Sequence, residues 1–237
     1  MKKKKGRRSA KKKYPIPLLN ATQLKLIAMV SMVFDHVGDA FFPEQDWMRA
    51  IGRIAMPIFS FCIAEGYEKS RDRKSYMTRL GLFALLSEVP FDLFSSGKIL
   101  EFSHQNVILT FYWALLGLMC YEALKVKKTK AADVGSIFIL IFFALTSLFS
   151  GMDYNILAIG IIDIFYLLRK KDHLVSCLTA MAFYVFLRNK GIYWFGVLGF
   201  IVILLYDGKR GKGLKRLFYL FYPGHLLLIG ILKQVLH

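Results

Sequence analysis

Acidic residues are scarce in this chain of 237 residues: Asp and Glu number 16 against 33 Lys and Arg, a formal charge of +17. A soluble protein with that deficit is usually a nucleic-acid binder. Here, however, only 21% of residues are charged and 56% are apolar, and the mean hydropathy is +0.44. High charge and high hydropathy coexist only when they occupy different stretches. That excludes an ordinary soluble domain and a disordered basic protein, and leaves a polytopic membrane protein with basic loops. Cysteine is scarce too. Cys62, Cys120 and Cys177 stand far apart in apolar runs with no CxxC, which excludes a disulfide framework and a zinc site; they read as buried small apolar residues, and no metal is expected. An internal repeat, a Gly/Ser linker and a small-residue cleavage site after the first apolar run are also missing. The expectation is therefore a basic cytoplasmic tail over 1–20 and a single bundle over 21–237.

Nine apolar runs are present, roughly 23–42, 47–67, 76–94, 106–124, 134–150, 154–168, 174–188, 192–206 and 217–235. A spanning helix needs about 20 residues, or about 17 at the short end. The sixth to eighth runs fall short of that length unless their Tyr, Trp and Arg flanks sit at the interface; a re-entrant pair among them is the alternative. Sorting cations by loop supplies an independent check, since cytoplasmic loops are enriched in Lys and Arg. With nine spans, 25 of the 33 cations fall on the N-terminal side and five on the other, leaving Lys25, Arg53 and Arg79 inside spans. The fold class read from this pattern is all-α: a multi-pass bundle of about nine helices in the cell membrane, N-terminus cytoplasmic, C-terminus outside. The tail MKKKKGRRSAKKKYPIP reads as a topology signal attracted to anionic lipid, so the lipid bilayer, not nucleic acid, is the partner expected of the charge excess.

Ionisable groups at depth are the informative residues, because each is costly in hydrocarbon unless paired or solvated. In the first run, Ser31, Asp35 and Asp39 recur at helical spacing on one face, with His36 on its shoulder. In the second, Arg49 and Arg53 share a face, and Pro57, having no N–H, frees the carbonyl of Arg53. Arg53 is read either as an anion or carboxylate clamp or as a structural partner of Asp35 or Asp39. Further candidates are Glu65, Glu88, Asp92, His104, Asn106, Asp153, Tyr154, Asn155, Asp163 and His225. A lone histidine in an apolar helix is more often a hydrogen-bonded interior residue than a catalyst. Under the nine-span topology, however, Asp35, His36, Asp39, Arg53, Glu88, Asp92, Asn106, Tyr154 and Asn155 come to one depth, with His225 near the midplane. On the opposite side Arg79 with Lys69, Arg71, Arg73 and Lys74 forms a basic mouth, suited to phosphate groups and equally to lipid headgroups.

At MVFDHVG (32–38), GRIAMPIFSF (52–61) with EGY (65–67), RLGLFALLSEVPFD (79–92), QNVIL (105–109) and FYPGHLLLIGIL (221–232), the chain resembles the TraX family of polytopic membrane proteins. A fainter resemblance, at His36 and at Pro57–Phe61 through Gly66-Tyr67, is to the broader transmembrane acyltransferases. The resemblance implies acetyl transfer from cytoplasmic acetyl-CoA to an amine or hydroxyl of an acceptor protein, such as a pilin, or of a glycan. On that implication His36 is the general base, Asp35 pairs with Arg53 or orients an acceptor amine, and the partner of His36 is Tyr222 or His225. Asn106 and Tyr154 are then the candidate oxyanion donors, and Arg79, Arg73 and Lys74 hold the CoA phosphates. A small transporter or flippase, or a non-catalytic membrane assembly protein, are the alternatives.

Overall fold

The computed structural model describes residues 14–188 and 190–236, and among these it is all helical. The helices are α1 (Ala21–Phe41), α2 (Asp46–Gly52), α3 (Ala55–Glu68), α4 (Arg73–Ser96), α5 (Val107–Lys125), α6 (Lys130–Phe149), α7 (Asn155–Leu167), α8 (His173–Leu187), α9 (Gly196–Leu204) and α10 (Lys215–Leu236). A 3₁₀ turn, Gly191–Phe195, runs into α9, and α2 continues into α3 across Arg53 and Ile54. The described residues thus form nine helical segments, one per apolar run. The cationic stretch 1–13 lies outside the described residues. Tyr14–Asn20, the rest of the expected tail, is docked on the bundle: Leu18 N and Leu19 N donate to Leu205 O at 2.9 and 2.8 Å.

Polar residues in the connecting turns start the helices by accepting their unpaired N–H groups. Asn20 accepts from Thr22 N and Gln23 N while Gln23 returns a bond to Asn20 N, a capping box on α1. Asp72, Asn106, Thr129 and Asp172 cap α4, α5, α6 and α8 in the same way. The segments alternate in direction. The start of α1 meets the end of α9 through Ala21 N to Lys209 O, the ends of α3 and α5 meet Arg73 at the start of α4 in ion pairs, and Arg169 after α7 pairs with Glu68 of α3. At the far face Gln105 N donates to Gly151 O and Gln234 Nε2 to Gly97 O.

Among the described residues, four stretches are long and apolar enough to cross a membrane: Asp46–Glu68, Val107–Lys125, Lys130–Phe149 and Leu217–Leu236. The segment of α2 and α3 and the short α7 make the core, where Leu157, Ala158, Ile159, Ile161 and Ile162 are all buried. Around them α6 turns Ile137, Phe138, Ile141, Phe142 and Leu145 outward, and α4 turns out Leu82, Leu85, Leu86 and Val89. Such faces would drive association in water and are satisfied by hydrocarbon in a bilayer. Close packing relies on small residues, as at Gly230, where an added Cβ would come 3.1 Å from the Phe94 nitrogen. Glycine there lets α10 lie against α4.

Candidate active site

The polar stripe of α1 is held against the break between α2 and α3. Ser31 Oγ donates to Ile51 O at 2.5 Å, and Gly52 leaves room for Asp35, whose side chain an added Cβ would overlap. Pro57 cannot donate to the Arg53 carbonyl, and the helix opens at Arg53 and Ile54. The Arg53 side chain folds back there. Its Nε donates to Arg49 O at 3.1 Å, Nη2 to Asp35 Oδ1 at 2.7 Å and Nη1 to Tyr154 Oη at 3.2 Å. Arg49 reaches Asp35 at 3.2 Å and Asp39 at 2.9 Å. Two guanidiniums thus balance two carboxylates. Of the two partners the sequence left open for Arg53, the structure pairs it with Asp35.

Tyr154, which precedes α7, has φ 55°, a left-handed conformation uncommon for a residue with a side chain; it brings the hydroxyl to Arg53. Beside it, Asp153 sits in the turn between α6 and α7 and lines the same cavity as His36 and Tyr154. Burial pushes its carboxyl up to about 6 against the pull of Arg53. Among the described residues it makes no ion pair.

His36 Nδ1 lies 2.8 Å from His225 Nε2, the two rings nearly parallel at 18°. His225 Nδ1 lies 2.7 Å from Phe221 O. A carbonyl oxygen only accepts, so in the neutral pair His225 carries its proton on Nδ1 and accepts on Nε2. His36 must then donate from Nδ1, which leaves the lone pair on His36 Nε2. Tyr222, one turn before His225 on the next flank of α10, takes the Val107 N–H at the start of α5 and keeps its own proton for another acceptor.

Two adjoining cavities meet at these residues. The smaller, about 40 Å³, is lined by Asp35, His36, Asp153, Tyr154, Met56 and Phe91 among others. The larger, about 710 Å³, lies within the range of small-molecule sites. Met32, Phe59, Val107, Phe111 and Tyr222 border both. The larger cavity carries Lys25, Lys69, Arg71, Arg79 and Arg210 on its lining with one carboxylate, Glu65, which Lys69 pairs at 2.7 Å.

The structure therefore brings together His36, Asp35, Arg53, Tyr154, Tyr222 and His225, and places Arg79 on the larger cavity. Of the other sequence candidates, Glu65 and Asp153 line the cavities as well, whereas Asn106, Arg73 and Lys74 line neither. Asn106 is fully buried, its Oδ1 capping α5 and its Nδ2 donating to Ala84 O at 2.9 Å and Glu88 Oε1 at 2.6 Å, so it has no donor for an oxyanion. Arg73 is held by Glu122 at 2.6 Å and by Glu68 at 3.4 Å over the Tyr67 ring. Tyr67 and Tyr166 donate to the same Glu122, which completes a staple between α3, α4, α5 and α7. Lys74 points outward and is exposed. Sequence reasoning gave no role to Lys25 or Arg210, and named Asp153 only as a polar candidate at the start of the sixth run. Lys25 carried a signal: Lys25, Met29, Met32 and His36 follow one another at helical spacing along α1, and all four line the cavities.

Fold and site together define a polytopic helical membrane protein with a buried polar centre reached from a cation-lined cavity. The family described as TraX protein matches residues 20–233, and the chain belongs to it. It is 30% identical to the probable fimbrial assembly protein FimC, serogroup H1, of Dichelobacter nodosus, over 92% of this chain and 97% of that protein. It is 27% identical to Protein TraX of Escherichia coli, over 88% of this chain and 85% of that protein. No solved structure matches the chain.

Proposed function

We propose that this chain is a membrane-embedded acetyltransferase that moves acetyl from acetyl-CoA to an acceptor amine, with a hydroxyl as the alternative nucleophile. The carrying observation is the placement of His36: its Nε2 lone pair is set by His225, and it borders a polar cavity that adjoins a larger one lined with cations. The orientation that suits this reading puts the basic face and the N-terminus in the cytoplasm, by the charge asymmetry of the loops. Acetyl-CoA then enters from that side, its phosphates against Lys25, Arg71, Arg79 and Arg210 and its thioester directed past Tyr222 toward His36. The acceptor comes from the far face. FimC is named for fimbrial assembly, and a surface-filament subunit is the acceptor class that this likeness favours. The plasma membrane is the matching location.

In the reaction the acceptor nitrogen attacks the thioester carbonyl carbon and gives its proton to His36 Nε2. The Tyr222 and Tyr154 hydroxyls stabilise the oxyanion. The carbon–sulfur bond then breaks, and His36 returns the proton to the departing thiolate, giving an amide and free CoA thiol. Asp35 and Arg53 neutralise each other and hold α1 against α3, which leaves Asp153 to meet an acceptor ammonium and take its extra proton, so that the neutral amine attacks; this favours an amine.

The test is incubation of membranes with labelled acetyl-CoA, following which molecule gains the label. General acid–base catalysis contributes about 10²–10⁴-fold, so His36→Ala should lose label by about that factor at unchanged protein level. Full transfer by that variant would show that His36 is not the base.

A further inference from the structure

We infer that Met56 forms the end wall that limits the transferred acyl group to two or three carbons; this rests on the acyl-transfer reading above. The small cavity offers about 40 Å³ to the centre of a water-sized group. One such group needs about 10–15 Å³, so the space takes roughly three to four heavy atoms, the size of an acetyl or a propionyl group. An acetyl group has three. A butyryl group has two more.

Met56 borders the small cavity and not the large one, so it stands beyond the collar that a thioester would have to pass. It is 3% exposed, and its Sδ takes a hydrogen bond from Ser60 Oγ at 3.5 Å, which fixes the thioether in place. The neighbouring wall offers little room to yield: Gly52 has no side chain to withdraw, Ala55 has one carbon, and Asp35 is tied to Arg53. Acyl length is thus decided by a side chain that takes no part in proton transfer. Met56→Ala deletes three heavy atoms, more than the two methylenes that separate butyryl from acetyl.

The experiment gives membranes containing the wild-type protein acetyl-, propionyl-, butyryl- or hexanoyl-CoA at equal concentration, each labelled in the acyl group. Met56→Ala is run alongside, with Met56→Val in its place if the alanine variant does not accumulate. One extra methylene in a filled pocket changes rates about 10–200-fold. The wild type should therefore fall about 100-fold between propionyl and butyryl, and Met56→Ala should recover about tenfold or more of that gap. Equal use of butyryl by the wild type would overturn the wall, as would a folded Met56 variant whose acetyl-to-butyryl ratio is unchanged. Failure of the wild type with every donor, acetyl included, removes the acyl-transfer reading itself, and the acetyl arm reports that separately.

Discussion

Replacing His225 by Leu removes the acceptor that holds the Nδ1–H of His36 at 2.8 Å. Two consequences follow, and both act on His36. Its Nδ1–H is left buried without a partner, which costs about 1–3 kcal/mol. The imidazole can also move its proton to Nε2, the atom required to be bare, at little intrinsic cost. With each 1.4 kcal/mol worth about tenfold, the competent tautomer and hence kcat should fall by about 10- to 100-fold. That is less than the loss from His36→Ala, where the base itself is gone. KM for acetyl-CoA should stay within about twofold, because His225 is absent from the lining of the larger cavity. His225→Gln, whose side-chain carbonyl can still accept, should recover part of kcat. The assay is initial-rate label transfer in membranes for the single variants and for His36→Ala combined with His225→Leu. The double variant should be no slower than His36→Ala alone. If His225→Leu leaves kcat intact, or if Gln is no better than Leu, His225 does not set the tautomer. A loss through KM alone would place His225 in donor binding instead.

Two further outcomes follow from the ion pairs and the cation-lined cavity. Removing one partner of a buried pair costs about 3–5 kcal/mol, so Arg53→Ala should lower thermal stability in detergent sharply. Adding Asp35→Asn should restore part of it, and an Arg53→Ala protein as stable as the wild type would mean the pair holds nothing. Arg71→Gln with Arg79→Gln should raise KM for acetyl-CoA about tenfold while leaving kcat nearly unchanged, the pattern of lost uniform binding; an unchanged KM would remove these cations from the donor site.

The helices were legible because burial in lipid demands long apolar runs, and each of the nine runs became one helical segment. The Asp35–Arg53 pair was legible for a related reason: a charge at depth must find its opposite, and only a few were on offer. The same scarcity narrowed the partner of His36 to Tyr222 or His225, and the structure gives His225, across 189 residues of chain. The basic mouth was only half readable, because a cluster in sequence is not a cluster on a helix. Arg73 and Arg79 are six positions apart on α4, which turns them about 240° from each other, so one faces the cavity and the other the Glu122 staple. Asn106 stands just before an apolar run, the position where an asparagine caps a helix, and that local duty took its hydrogen bonds. Asp153 and Arg210 reach the cavities from turns whose path no periodicity records.

The charge-balanced cluster of Arg49, Arg53, Asp35 and Asp39 also bears on how the chain enters a membrane. With Lys25, Asp35 and Asp39, α1 is not among the four stretches apolar enough to cross by themselves. Each aspartate at the centre of a lone helix costs about 2.5–3.5 kcal/mol on insertion scales. The arginines that neutralise them arrive on the very next segment, after the short turn that follows Phe41. The first two segments are thus tied to each other by their own counter-ions, Arg49 and Arg53 against Asp35 and Asp39. Every member of this ion cluster lies within residues 35–53, whereas His225, the partner of His36, is supplied by the last helix, α10.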